Sequence, residues 1–90
     1  MSSDTINKLR SKIDKLDNRI FSLILKRLKH AEKIGEIKKK SELPIDDKNR
    51  EDQIISRILK RLDNDLDRNQ IKQILKPIII IEKNSEGYPL

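Results

Sequence analysis

Residues 5–40 read TINKLRSKIDKLDNRIFSLILKRLKHAEKIGEIKKK, and the spacing of apolar residues in this stretch decides the fold. Ile6, Leu9, Ile13, Leu16, Ile20 and Leu23 recur alternately three and four residues apart. That spacing puts them on one face of an α-helix as a continuous seam. Asp4 is a suitable N-cap, and the first strong stop is Ser41-Glu42-Leu43-Pro44. A helix of about 35 residues is about 50 Å long at 1.5 Å per residue. A compact domain of this size has a radius of gyration of only about 12 Å. The helix therefore overshoots its own domain, and a second chain beside it, in a dimer, is expected to cover it.

Two shorter helices follow from the same pattern. Asp46 and Asp47 cap a helix over residues 47–62 that carries Ile54, Ile55, Ile58, Leu59 and Leu62. Asn64-Asp65 reads as a turn. Asp67 caps a third helix over residues 67–86, with Ile71, Ile74, Leu75, Ile78 and Ile79 on its apolar face. Pro77 and the β-branched run Ile78-Ile79-Ile80-Ile81 oppose a helix there. A lone strand would have nothing to pair with, so a kinked helix is expected, ended by Gly87 and Pro89. The fold class is all-α: one domain of three helices, the first of them long.

Composition narrows the function. The 90 residues hold 21 Lys and Arg against 15 Asp and Glu, a net charge of +6 that calls for an anionic partner. Acidic and basic residues are interleaved, so no basic stripe suited to nucleic acid emerges. The two aromatics, Phe21 and Tyr88, offer little for stacking on single strands. There is no cysteine, hence no disulfide and no thiolate metal site. No apolar run approaches the roughly 20 residues needed to span a bilayer, and a cytoplasmic protein is expected. Neither a metal cluster nor a phosphate-cradling glycine loop is present.

The seam of the first helix breaks its own rule after Leu23. Arg27 stands where an apolar residue belongs, followed by His30 or Ala31 and then Ile34. Lys38 lies three turns beyond Arg27 and stacks above it on the same face. Such cations either snorkel to the edge of the core or meet an anion, from the chain or from a ligand. Arg10 lies roughly 100° around the helix from Arg27, so the two share a ligand only across a dimer. Arg50 and Glu51, in the first turn of the second helix, add a cation and an acceptor. His30 reads as a packed edge residue. Gly35 costs about 1 kcal/mol in a helix relative to alanine, and marks a close approach of a helix or ligand.

Three segments in order resemble one family. They are Arg10-x-x-Ile13-Asp14-x-Leu16-Asp17-x-x-Ile20, Arg27-x-x-x-Ala31-x-x-Ile34-Gly35-x-x-Lys38 and Pro44-x-x-Asp47-x-x-Arg50-Glu51. Together they resemble the all-α, intertwined-dimer chorismate mutases. The resemblance implies a cofactor-free rearrangement of chorismate, a dianion, to prephenate. It implies that Arg27 and the partner subunit's Arg10 hold the two carboxylates. Lys38 would reach the ether oxygen, Asp47 and Glu51 the ring hydroxyl, and Arg50 would support a carboxylate. The family's third helix presents a serine-like residue and, four residues later, a glutamine or glutamate. Glu82 and Glu86 take those places here, whereas a shift of two would select Asn84 and Tyr88. Rival readings are an isochorismate pyruvate-lyase or aminochorismate mutase on the same scaffold, and a non-enzymatic helical interaction or nucleic-acid-binding module.

Glutamate in the second of those places has a consequence for pH. An ionised carboxylate has no proton to donate and repels the charge that grows on a breaking ether bond. If Glu86 faces that oxygen, the productive form is the protonated one, and activity rises as pH falls below neutrality. Glu86→Gln is expected to flatten the pH–rate profile and to keep or raise activity at about pH 7–8. A wild-type rate already flat from roughly pH 5 to 8 would remove Glu86 from that role and favour the Asn84 and Tyr88 register.

Overall fold

The computed structural model describes residues 2–44 and 48–85. Three helices are present in order: α1 (Ser2–Lys40), α2 (Lys48–Arg61) and α3 (Arg68–Ser85), with no strand among the described residues. α1 starts earlier than Asp4 suggested. Asp4 sits in the first turn, where its charge complements the positive end of the helix dipole without acting as the cap. Asp46, Asp47, Glu86, Gly87, Tyr88 and Pro89 lie outside the described residues.

Helix ends are closed by the chain's own polar groups. At the end of α1, Leu43 N–H donates to Lys38 C=O at 2.8 Å and Glu42 N–H donates to Lys39 C=O at 3.3 Å. Glu42 has φ 56°, so this is a Schellman closure made without glycine. α2 ends in the same way, with Asn64 N–H on Leu59 C=O at 3.4 Å and Asp63 at φ 50°. α3 opens with a capping box. Gln70 N–H donates to Asp67 Oδ1 at 2.8 Å, and Asp67 N–H donates to Gln70 Oε1 at 2.9 Å. α3 then runs unbroken through Pro77 to Ser85.

Burial is concentrated where α3 meets its neighbours. Ile54, Ile55, Ile71 and Leu75 form the core, with Ile58, Leu59, Leu66 and Ile79 packed against it. Not every residue of the apolar pattern reaches it: Ile74 is 59% exposed. α3 packs against both α1 and α2 and so joins the long helix to the short one. On α1 the buried residue is Gly35, where the missing side chain admits close approach. The N-terminal half of α1 stands clear. Its seam residues Ile6, Leu9, Ile13, Leu16, Ile20 and Leu23 are each 46–59% exposed. The radius of gyration of 16.8 Å and the 60 × 25 × 21 Å extents express that projection.

The capping box gives a direct test of how much α3 depends on its start. Asp67→Ala is expected to cost about 1 kcal/mol, lowering Tm by roughly 4–8 °C for a domain of this size. Thermal unfolding followed by circular dichroism measures it, and an unchanged Tm would show the cap to be dispensable.

Candidate active site

The C-terminal half of α1, the first turns of α2 and the end of α3 enclose an open cavity of about 300 Å³. α1 contributes Arg27, His30, Ala31, Ile34 and Lys38 to its wall. These positions follow one another at helical spacing, so the helix alone aligns them. α2 contributes Arg50, Glu51 and Ile54, and α3 contributes Ile79, Glu82 and Lys83. The cavity therefore gathers Arg27, Lys38, Arg50, Glu51 and Glu82, five of the residues singled out by the sequence.

Arg10 is not among them. It is exposed and lies about 25 Å up the helix axis from Arg27 at 1.5 Å per residue. Asp47 and Glu86 lie outside the described residues. Asn84, favoured by the alternative register, is exposed and does not line the cavity, whereas Glu82 does. Two lining residues were not anticipated. His30, read as a packed edge residue, is exposed and faces the cavity. Lys83 adds a cation from α3. Its only sequence signal is the opposite charge beside Glu82, which carries no helical periodicity.

The electrostatics are organised by two ion pairs made from adjacent residues of α3. Glu82 is 7% exposed and accepts a hydrogen bond on Oε1 from Arg27 Nη1. Its Oε2 is buried with no hydrogen-bond partner among the described residues. Lys83 Nζ lies 3.9 Å from Glu51 Oε1. One residue thus ties α3 to α1 and the next ties it to α2. A third pair, Arg68 with Asp52 at 3.7 Å, is on the exposed surface and contributes little. Four cations, Arg27, Lys38, Arg50 and Lys83, face two carboxylates, Glu51 and Glu82. The described lining carries a surplus of two positive charges. Among the described residues no cluster of His, Asp or Glu is grouped as metal ligands, and no helix is long and apolar enough to cross a membrane.

The family described as chorismate mutase type II matches residues 9–86. The chain belongs to that family. The match takes in all the described cavity residues and the seam of α1 from Leu9 onward. The chain is 37% identical over 82 residues to a protein named chorismate mutase from Methanocaldococcus jannaschii, covering 90% of this chain and 81% of that protein. It is 42% identical over 57 residues to a bifunctional chorismate mutase/prephenate dehydratase from Aquifex aeolicus. That match covers 63% of this chain but only 16% of the bifunctional protein's length. No solved structure gives a significant match.

Arg27 and Lys38 dominate the lining from α1, so they carry the sharpest consequence of this arrangement. Arg27→Ala and Lys38→Ala are each expected to lower kcat/KM for chorismate by at least ~10²-fold with little change in helix content. Near-normal turnover in either variant would show that the cavity is not the site of the chemistry.

Proposed function

We infer that this domain rearranges chorismate to prephenate. The observation that carries the reading is the gathering of Arg27, Lys38, Arg50 and Lys83 from all three helices around one cavity, in a chain of this family. The substrate is a dianion, and cations on the cavity wall attract it. Arginine forks bind carboxylates through paired N–H donors, so Arg27 takes one carboxylate and Arg50 supports it at longer range.

The reaction is a pericyclic step within one molecule. One C–C bond forms as the ether C–O bond breaks, and no proton is gained or lost. No residue has to become a nucleophile or a base, so the step asks nothing of His30 in the described lining. What remains for the protein is positioning and charge. The reacting ends must be held in a compact chair-like conformer, and clamping both carboxylates removes that entropic part of the barrier. Negative charge grows on the ether oxygen as the bond breaks, and a fixed ammonium there stabilises it. Lys38, on the same face as Arg27 and three turns on, is that cation. Glu51, held beside Lys83, accepts from the ring hydroxyl with Asp47, and Glu86 is the second partner of the ether oxygen.

The proposed setting is a cytoplasmic, cofactor-free homodimer. Support for the dimer is the seam of α1, six large apolar side chains half exposed along the projecting helix. Covering them stabilises on the order of 1 kcal/mol each at half exposure. A second apolar groove, lined by Ile54, Ile58, Ile71, Ile74 and Ile78, adjoins the cavity at Arg27 and Arg50 and extends the surface available to a partner. In a pair of antiparallel α1 helices, Arg10 of one subunit comes level with the cavity of the other.

The test of activity is the ultraviolet loss of chorismate on adding purified protein, run beside isochorismate to separate mutase from lyase. The test of the dimer uses subunit exchange. Mixing Arg10→Ala with Arg27→Ala protein is expected to restore activity, because a heterodimer has one site with both lesions and one with neither. The ceiling is about half of wild type per heterodimer, as the one-intact-site geometry requires. Proven exchange without recovery would place both arginines in one subunit's site.

A further inference from the structure

We propose that Glu82 is a resident competitor for Arg27, so that an incoming carboxylate binds by exchanging with it. For the natural substrate this rests on the chorismate reading; for simple dicarboxylates it stands on the geometry alone. Arg27 Nη1 donates to Glu82 Oε1, across the contact between α1 and α3. The two partners are unequally placed. The Glu82 side chain is 9% exposed and belongs to the wall, whereas the Arg27 side chain is 37% exposed and fronts the open cavity. Any anion drawn to Arg27 arrives beside a carboxylate that is already there.

That carboxylate is itself poorly served. Oε1 has Arg27, but Oε2 is buried without a hydrogen-bond partner among the described residues. An ionised carboxyl withdrawn from water needs its lone pairs met. Among the described residues, the charged and titratable groups lining the cavity with it are Arg27, His30 and Lys38 from α1, Arg50 and Glu51 from α2, and Lys83 from α3. Lys83 stands against Glu51. A ligand carboxylate on Arg27 confronts the charge of Glu82 at close range, and like charges so placed repel. The free energy that loosens Glu82 is subtracted from the affinity, as for any site whose competent form is only partly populated.

The same pair has an opposite effect on the fold. It neutralises Arg27 and fastens α1 to α3. Removing the charge of Glu82 therefore weakens the ligand-free fold and strengthens anion binding. A purely structural role for Glu82 moves both in the same direction.

Glu82→Gln keeps the shape and removes the charge. Malonate, a simple dicarboxylate, is titrated into full-length wild type and variant by calorimetry, and KM for chorismate is measured alongside. The expected result is malonate affinity raised roughly three- to tenfold, KM lowered in parallel, and Tm reduced. In the Arg27→Ala background the same substitution should give no gain, which isolates the pair. Malonate affinity unchanged or weakened in a helical Glu82→Gln protein would overturn the proposal. So would a gain that persists without Arg27. If Glu82→Gln does not fold, Glu82→Ser, which clears the charge by shortening the side chain, decides by the same criteria. If wild type fails to consume chorismate, the functional reading falls alone, and the malonate titration still decides whether Glu82 competes for Arg27.

Discussion

Arg27 stands on the face of α1 that is apolar everywhere before it, and the pair it makes with Glu82 determines what the rest of the molecule has to do. Upstream of Arg27 the seam is hydrophobic and half exposed along its whole length. Downstream, the same face lines a charged cavity. One side chain thus marks the change from a surface that seeks another apolar surface to one that seeks anions. Glu82 answers it from α3, and α3 is the helix that touches both others. Docking of the long helix therefore depends on an ion pair as well as on packing, because the core of Ile54, Ile55, Ile71 and Leu75 lies between α2 and α3.

The alternation of charge at Glu82 and Lys83 extends this dependence to the third element. Consecutive positions on a helix point about 100° apart, so adjacent residues of α3 address different neighbours. Glu82 turns to Arg27 of α1 and Lys83 to Glu51 of α2. The cavity is held by internal pairing of residues that a substrate would otherwise engage. Four cations would not stay together around 300 Å³ of open space with no anion present. Among the described residues two carboxylates, Glu51 and Glu82, reduce that repulsion.

Much of this was legible in the sequence for one physical reason: a helix fixes relations among its own residues. The three-and-four spacing of Ile6 to Leu23 specified α1, and the eleven-residue interval from Arg27 to Lys38 put both in the same cavity. Asp67 was legible as the cap of α3. What was not legible depends on how helices meet. Nothing in the spacing says that Arg27 pairs with Glu82, since that is a relation between α1 and α3, far apart in the chain. His30 looked like an edge residue because the seam continues past it, yet the seam there borders a cavity and leaves it exposed. Ile74 fits the apolar period of α3 but lies 59% exposed beside a groove, because one chain supplies too little to pack on that side.

Length and charge thus lead to one conclusion about how the site is assembled. A helix of 39 residues leaves half its seam uncovered, and a core of a few isoleucines and leucines cannot recruit that half. The end of α1 that is docked bears cations, whose docking is opposed by their own repulsion and favoured by any anion. A ligand that binds only the assembled cavity stabilises it by mass action, and in the proposed dimer a second chain on the seam would restrain the same helix from its other end. Both act on α1, one through Arg27 and Lys38 and the other through Ile6 to Leu23. Because a rigid helix transmits its orientation along its length, covering the seam of one half fixes where the cations of the other half stand. For the proposed rearrangement, driven by placed charge with no nucleophile, that placement would be the catalytic apparatus. The apolar seam then belongs to the chemistry as much as the arginine that interrupts it.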